Sequence, residues 1–317
     1  MAKIIITIPM TEEDKKIITE ITSLPSSDIC YLRAENVTQE ILEDCEIILG
    51  NIPSQLLQNS KKLKWIHLNS AGINSYVDIL SNKDITLTNS TGAYDLALAE
   101  HALALIFALK KKIPNYIKNQ QECIWKDEGE VQSIFNSKTL IIGLGNIGKE
   151  LGKKLYFLGS NISGVKKNLN NYPEFIKNIY SLEDLDNILP NFDIVISILP
   201  ETSETINLFN IEKFKKMKKN SIFINIGRGT TVSSNDLYFA LENNIISGAG
   251  IDVTHIEPLP KNHQLWQSKN LILTPHIAGG YHLNYTLDNV RKLAIENLKA
   301  YFLNKPLKNI VTSKKGY

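Results

Sequence analysis

The strongest constraint on the fold is a glycine-rich turn between a short apolar run and a helix-like segment. The run Thr139–Ile142 leads into Gly-Leu-Gly-Asn-Ile-Gly, and KELGKKLYFLG follows with the spacing of an amphipathic helix. The first glycine permits a tight turn, the second lets backbone approach a ligand, and the third lets helix and strand pack closely, while the helix N-terminus attracts phosphate. A plain βα turn is the alternative, but the flanking strand and helix favour a pyrophosphate site. Its residues are Gly143, Gly145, Asn146, Ile147 and Gly148.

Strand-like and helix-like segments alternate on both sides of this turn. Before it come KIIITI, TEEDKKIITEI, DICYL, EIILG and KWIHL, and after it come SNISGV, DIVISIL, NSIFINI, SGAGI and NLILT. Short β-branched runs separated by helices are typical of parallel sheets covered on both faces. We therefore expect an α/β fold with two Rossmann-like or flavodoxin-like, doubly wound parallel-sheet domains and an interdomain cleft.

Two helical segments indicate how the chain passes between these domains. An Ala- and Leu-rich stretch from about Tyr94 to Ile117 predicts one long buried helix that ends near Pro114, and a helix from about Leu283 to Leu303 is expected to return to the first domain. We expect residues 1–95 and 280–317 to form a discontinuous substrate-binding domain. Residues 96–279 are expected to form the dinucleotide-binding domain.

Composition narrows the classes of partner. The 317 residues carry a formal net charge of +2. The sequence has no dense basic stripe interleaved with aromatic residues, so a nucleic acid is not the expected partner. No apolar run approaches the roughly 20 residues of a membrane span, and the first residues do not resemble a secretory signal. The three cysteines, Cys30, Cys45 and Cys123, lack metal-type spacing. We expect reduced thiols, no metal, a cytoplasmic location and a small-molecule partner.

A lysine pair ends the strand after the glycine-rich turn. An acidic residue about 20 residues beyond the glycines usually binds the ribose hydroxyls of NAD, but this chain has Lys166 and Lys167 in NISGVKKN. Two cations can pair with a 2′-phosphate, so NADP(H) is favoured, although NAD(H) can still fit. The alternative is a solvated lysine pair without a ligand.

Three later segments each place a reactive side chain just beyond an apolar strand, where open α/β sheets bind ligands. They are Ile224–Gly229, Gly250–Pro260 and Leu273–Gly279, and they contain an arginine, a glutamate and a histidine. The arginine, Arg228, lies between glycines, and its planar fork can bind a carboxylate with two hydrogen bonds.

The motifs NSAGIN, GLGNIG, LPETSET, NIGRG, IDVTHIEPLP and TPHIAGG together resemble those of the D-isomer-specific 2-hydroxyacid dehydrogenases, in particular the glyoxylate/hydroxypyruvate reductases. The resemblance spans nearly the whole chain. It implies that His276 is the acid/base of the reaction and that Glu257 is the partner of its imidazole. It also implies that Arg228 binds the substrate carboxylate and polarises the oxo group.

The resemblance implies roles for further residues. Asp252 corresponds to the residue that contacts the nicotinamide carboxamide, although a structural aspartate at a strand end is an alternative. The cofactor set also includes Leu199, Pro200, Thr205, Ile226 and Gly227. The substrate set is Ala71, Gly72 and Ile73, for which an ordinary β-turn is the alternative. His101, in an apolar helix, is expected to be a packed or interface residue rather than a catalyst.

These patterns predict a reductase of glyoxylate, hydroxypyruvate or a related 2-oxo acid. Two alternatives remain open: a D-3-phosphoglycerate dehydrogenase, and a nucleotide-sensing, corepressor-like binding protein. The segment from Tyr94 to Phe135 resembles the dimer-forming arm of the family, so a homodimer is expected.

Overall fold

A computed structural model describes residues 3–73, Tyr76 and 84–311. The chain divides into two compact units. The first unit is Met1–Tyr94 with Tyr281–Tyr317, and the second unit is Asp95–Gly280. Each unit contains a parallel sheet with helices, which confirms the predicted α/β fold class. The predicted cleft stays a prediction.

The strands, in chain order, are β1 (Ile4–Ile6), β2 (Ile29–Tyr31), β3 (Ile47–Leu49), β4 (Trp65–His67), β5 (Thr86–Thr88), β6 (Lys138–Ile142), β7 (Asn161–Val165), β8 (Ile176–Tyr180), β9 (Ile194–Ser197), β10 (Ile222–Asn225), β11 (Gly248–Ile251) and β12 (Leu271–Leu273). The helices are α1 (Glu12–Thr22), α2 (Gln39–Leu42), α3 (Asp95–Lys110), α4 (Ile113–Gln121), α5 (Asn146–Phe157), α6 (Leu185–Ile188), α7 (Ile211–Lys216), α8 (Ser234–Glu242) and α9 (Asn284–Phe302). Short 3-10 turns cover Ser26–Asp28, Ala34–Asn36, Ser54–Asn59, Leu189–Asn191, Gly229–Thr231 and Gln264–Gln267.

The first unit is built on a sheet of order β2-β1-β3-β4-β5. Its three inner strands, β1, β3 and β4, are fully buried and apolar apart from His67, as expected for a parallel sheet covered on both faces. Helix α1 begins at a capping box, in which the Thr11 side chain accepts from the Asp14 amide and the Asp14 carboxylate accepts from the Thr11 amide. Helix α9, which follows the second unit in the chain, packs against α1. This unit is therefore discontinuous in sequence.

The second unit contains a sheet of order β12-β11-β10-β9-β6-β7-β8. Strands β9, β10 and β11 are buried along their whole length, and β6 is buried after its first residue. The chain leaves β6 toward β7 and β8 on one side, and then returns to β9 on the other side. This reversal creates a topological switch point at the carboxyl ends of β6 and β9, where open α/β sheets bind ligands.

The prediction of one long helix from Tyr94 to Ile117 is wrong. Helix α3 ends at Lys110, and α4 begins at Ile113 after Lys112 adopts a left-handed conformation with φ of 54°. Pro114 lies in the first turn of α4, where its missing N–H costs no helical hydrogen bond. The proline therefore starts a second helix instead of ending the first. Among the described residues, no helix is long and apolar enough to cross a membrane.

Candidate active site

The glycines of the phosphate turn differ in their surroundings. Gly143 has φ of +102°, and a Cβ there would lie 2.5 Å from the Ile198 carbonyl oxygen. A Cβ on Gly148 would lie 2.4 Å from the Gly143 carbonyl oxygen. At Gly145, which caps α5, a Cβ would meet no atom within 4 Å. The first and third glycines are thus required by the protein's own packing, and the second leaves open space beside a helix N-terminus, which fits a bound pyrophosphate.

The lysine pair follows β7, and both ammonium groups have partners. Lys166 Nζ donates to the carbonyl oxygens of Asn170 at 3.0 Å and Asn171 at 3.3 Å. Lys167 Nζ lies 3.6 Å from Glu204 Oε1, and both side chains are largely exposed. An exposed ion pair such as Lys167–Glu204 contributes little to stability, so the two side chains can rearrange.

The loop after β9 folds back on itself and meets the end of β10. Thr205 Oγ1 donates to the Pro200 carbonyl oxygen at 2.7 Å and accepts from the Thr202 amide at 2.8 Å. Leu199 is buried, and a Cβ on Gly227 would lie 2.6 Å from its carbonyl oxygen. Ile226 is also buried. Gly227 is needed here because the two backbones touch.

Arg228 is positioned by the end of β10. Asn225 Oδ1 accepts from the Gly227 amide at 3.1 Å, and Asn225 Nδ2 donates to the Arg228 carbonyl oxygen at 3.0 Å. The guanidinium uses Nη1 to donate to the Gly227 carbonyl oxygen at 2.9 Å. Within the part of the chain that the structure describes, Arg228 forms no ion pair. Its remaining donors are available for an anionic ligand.

The histidine and glutamate of the predicted trio are in contact. His276 Nδ1 lies 2.7 Å from Glu257 Oε2, and Glu257 Oε1 accepts from the Thr254 amide at 2.9 Å. Because the carboxylate is held at both oxygens, it fixes the imidazole and its tautomer, with the proton on Nδ1. Nε2 is then the nitrogen that can exchange a proton with a ligand. Half of the His276 side chain is exposed.

Asp252 lies beneath the turn that carries His276. Its side chain is 3% exposed. Oδ1 accepts from the Ile277 amide at 3.0 Å and from Thr274 Oγ1 at 2.6 Å, and Oδ2 accepts from the Ala278 amide at 3.0 Å. His101 Nε2 lies 2.9 Å from Thr274 Oγ1. Sequence patterns did not indicate Thr274 or any link from His101 to this turn. The predicted contact of Asp252 with the carboxamide stays a prediction.

The predicted substrate turn follows β4 in the first unit. Its carbonyl oxygens are used internally, since Asn89 Nδ2 donates to Ala71 O at 2.9 Å and Ser70 Oγ donates to Gly72 O at 2.7 Å. Ile73 is buried. The amides of Ala71 and Gly72 find no acceptor among the described residues. Asn74, the last residue of the NSAGIN motif, lies outside those residues.

In the second unit, the predicted residues share one edge of the sheet. The glycine turn follows β6, the lysines follow β7, Arg228 follows β10, and the segments with Glu257 and His276 follow β11 and β12. Nucleotide-type features thus lie on the β6–β7 side and reactive side chains on the β10–β12 side. Such an arrangement defines a nicotinamide-dependent oxidoreductase of the Rossmann type.

Comparison with known proteins identifies the family. Residues 103–278 match the family model described as D-isomer specific 2-hydroxyacid dehydrogenase, NAD binding domain. Over 296 residues the chain is 31% identical to glyoxylate/hydroxypyruvate reductase B of Escherichia fergusonii, covering 90% of each protein. It is 28% identical over 305 residues to a glyoxylate/hydroxypyruvate reductase of Arabidopsis thaliana, covering 94% of this chain and 90% of that protein.

The fold agrees with this relationship. A D-isomer specific 2-hydroxyacid dehydrogenase family protein from Aeromonas salmonicida superposes with a TM-score of 0.83 at 25% identity, covering 98% of this chain and 99% of that one. The chain belongs to the D-isomer-specific 2-hydroxyacid dehydrogenase family. It is an NAD(P)-dependent oxidoreductase of small 2-hydroxy or 2-oxo acids.

Proposed function

We propose that the protein reduces a small 2-oxo acid of the glyoxylate or hydroxypyruvate type to the 2-hydroxy acid, which is glycolate or D-glycerate. The observation that carries the proposal is the 2.7 Å contact between His276 Nδ1 and Glu257 Oε2, which leaves Nε2 as the proton donor. The names of the Escherichia fergusonii and Arabidopsis thaliana relatives support this substrate class.

His276 supplies the proton. Reduction of the oxo group needs a hydride at C2 and a proton at the oxygen, and the nicotinamide supplies the hydride when it is bound. The protonated imidazole donates from Nε2 to the oxo oxygen as negative charge develops there. Glu257 offsets the imidazolium charge before the transfer and keeps the ring oriented after it. In the oxidative direction, the neutral Nε2 accepts the hydroxyl proton.

Arg228 binds and polarises the substrate. Its guanidinium carries a fixed positive charge and has donors that no carboxylate of the described residues occupies. The planar fork matches a carboxylate, and a remaining N–H can donate to the developing oxyanion. The amides of Ala71 and Gly72, which find no acceptor among the described residues, are donors of the type that a carboxylate accepts, and their role stays a prediction.

The cofactor is held by the turn Gly143–Gly148, with Asn146 and Ile147 at the start of α5. Leu199, Pro200 and Thr205 are proposed beside the adenosine half, and Ile226, Gly227 and Asp252 toward the nicotinamide. NADP(H) is proposed as the preferred form, because Lys166 and Lys167 are cations beyond β7 where an acid would select NAD(H). NAD(H) remains a usable cofactor in this proposal.

The test measures a panel of glyoxylate, hydroxypyruvate, pyruvate and phosphohydroxypyruvate with NADPH and with NADH. We expect turnover of the small acids and a higher kcat/KM with NADPH. The variant His276→Ala should keep its cofactor Kd and lose about 10²–10⁴ in kcat. His255→Asn is the matched control, because His255 is exposed and close to Glu257 in sequence. Normal turnover by His276→Ala, or no turnover of any 2-oxo acid by the wild type, would contradict the proposal.

A homodimer and a cytoplasmic location complete the proposal. The segment 113–135 exposes a series of apolar side chains, which a second copy would cover. They are Ile113, Ile117, Ile124, Trp125, Val131 and Phe135. The free cysteines Cys30, Cys45 and Cys123 suit a reducing compartment. Light scattering is expected to give twice the chain mass, and Trp125→Lys should weaken the association; a monomeric wild type would refute the dimer.

A further inference from the structure

Helix α3 packs against strand β11, and the strand presents glycines to the helix. A Cβ on Gly250 would lie 3.0 Å from the Leu105 Cβ, and a Cβ on Gly248 would lie 3.2 Å from Leu109 Cδ2. Two residues along a strand advance about 6.6 Å, and four residues along a helix advance about 6 Å. The two elements therefore stay in register, running in opposite directions. Two residues after Gly250 the strand reaches Asp252, and four residues before Leu105 the helix has His101. This register therefore places Asp252 and His101 side by side.

Beside Asp252 and His101, the apolar contact between helix and strand ends and a chain of hydrogen bonds begins. Thr274 Oγ1 lies 2.6 Å from Asp252 Oδ1 and 2.9 Å from His101 Nε2. A hydroxyl has one proton, and the carboxylate can only accept, so Thr274 donates to Asp252. Its oxygen then accepts from His101, which must carry its proton on Nε2. The chain runs from His101 through Thr274 to Asp252. His101 Nε2 also lies 3.6 Å from Asp252 Oδ1, which is an ion-pair distance but longer than a hydrogen bond.

The chain ends on the group that shapes the turn around His276. Asp252 accepts from the Ile277 and Ala278 amides with its side chain, and its backbone carbonyl oxygen accepts from the His276 amide at 2.7 Å. His276 itself has φ of 53°, a left-handed conformation that costs a residue with a Cβ about 1–2 kcal/mol. The turn persists because its neighbours hold it on both sides.

We propose that His101 is a positioning residue: acting through Thr274 and Asp252, it holds the turn that aims His276 at the substrate. The inference rests on the proposed function, since it takes His276 as the proton donor. His101 does not touch the reacting atoms. It ties the turn to a long helix that is packed against β10, β11 and α5, so the imidazole is oriented by a rigid element of the unit.

The test compares three variants of this chain of hydrogen bonds. His101→Leu removes the donor, and Thr274→Val removes the hydroxyl at nearly the same volume. His101→Gln keeps an N–H donor near the position of Nε2. Glu100→Gln, at the exposed neighbouring position on α3, is the control.

We expect His101→Leu and Thr274→Val each to lower kcat about tenfold, since a displacement of about 1 Å can cost up to about 100-fold. The cofactor Kd should change far less than kcat, because the phosphate turn lies beyond β6 and Asp252, which is proposed toward the nicotinamide, keeps its contacts with the Ile277 and Ala278 amides. The double variant should be no slower than the slower single variant, as expected for two groups in one chain. His101→Gln should recover most of the lost kcat, and Glu100→Gln should match the wild type.

Several results would overturn the proposal. Wild-type kcat in His101→Leu, multiplied losses in the double variant, or equal losses in His101→Gln and His101→Leu would each exclude it. In wild-type protein, ¹⁵N spectra of the ring should show the proton of His101 on Nε2, and a proton on Nδ1 contradicts the chain even if a variant fails to fold. This spectrum also separates the two proposals: normal turnover by His276→Ala refutes the proposed function, whereas the tautomer still tests the positioning chain.

Discussion

The glycine turn allows a substitution experiment in which protein packing and ligand binding respond at different positions. Gly148→Ala places a Cβ 2.4 Å from the Gly143 carbonyl oxygen and 3.2 Å from Ile141 Cγ2. The first distance is about 1 Å shorter than an ordinary contact and involves backbone, so the helix must shift. Overpacking of this kind costs about 1–3 kcal/mol. Gly145→Ala places its Cβ in open space at φ of −77°, a conformation open to alanine.

The two variants should therefore separate stability from affinity. Without cofactor, Gly148→Ala should lower Tm by about 2–4 °C for each kcal/mol lost, and Gly145→Ala should stay within about 0.5 kcal/mol of the wild type. With cofactor, Gly145→Ala should weaken binding at least about tenfold, or ~1.4 kcal/mol, since its methyl occupies the space proposed for the pyrophosphate.

The assay measures Tm by circular dichroism without cofactor and the NADPH Kd by fluorescence. Leu144→Met, between two of the glycines, controls for substitution in the turn, because it conserves volume at a buried apolar side chain. If Gly145→Ala binds NADPH as tightly as the wild type, the cofactor does not approach this turn. If Gly148→Ala keeps its Tm, the packing argument is wrong.

Three further predictions concern charge. Burial lowers the pKa of His67 to about 4, so between about pH 6.5 and 4 the unfolded chain binds a proton that the native state does not bind. Because of this group, the free energy of unfolding should fall by about 2–3 kcal/mol from pH 7.5 to 4.5. Urea titrations of His67→Asn should lack that component, and an unchanged pH dependence in this variant would contradict the prediction. Glu204→Gln releases Lys167 and removes a charge that repels a 2′-phosphate, so kcat/KM for NADPH should rise up to about fivefold with little change for NADH, and equal effects on both cofactors would argue against this contact. Arg228→Lys keeps the charge but loses the fork, so KM for glyoxylate should rise about tenfold at constant cofactor Kd, and an unchanged KM would exclude the carboxylate contact.

Much of the fold could be predicted because it follows from local patterns. Buried parallel strands are short β-branched runs, and the strand–glycine turn–helix order at 139–157 limits the chain to one kind of βα unit. The helices of the segment from Tyr94 to Ile117 were predicted less well. Ala and Leu continue through Lys110, and the break at Lys112 depends on a single left-handed residue before Pro114, which helix propensity does not register.

The sequence by itself determined the two series of alternating strands and helices, the phosphate turn, and the positions of Arg228, Glu257 and His276 after apolar strands. Steric limits on the backbone and the period of side chains act within a few residues, so these features can be read locally. Only the tertiary structure decided which side chains meet. His101 and Thr274 are 173 residues apart, and they touch because two glycines let a helix lie against β11. The partners of Lys167 and Asp252 likewise come from loops that only the packed sheet brings together.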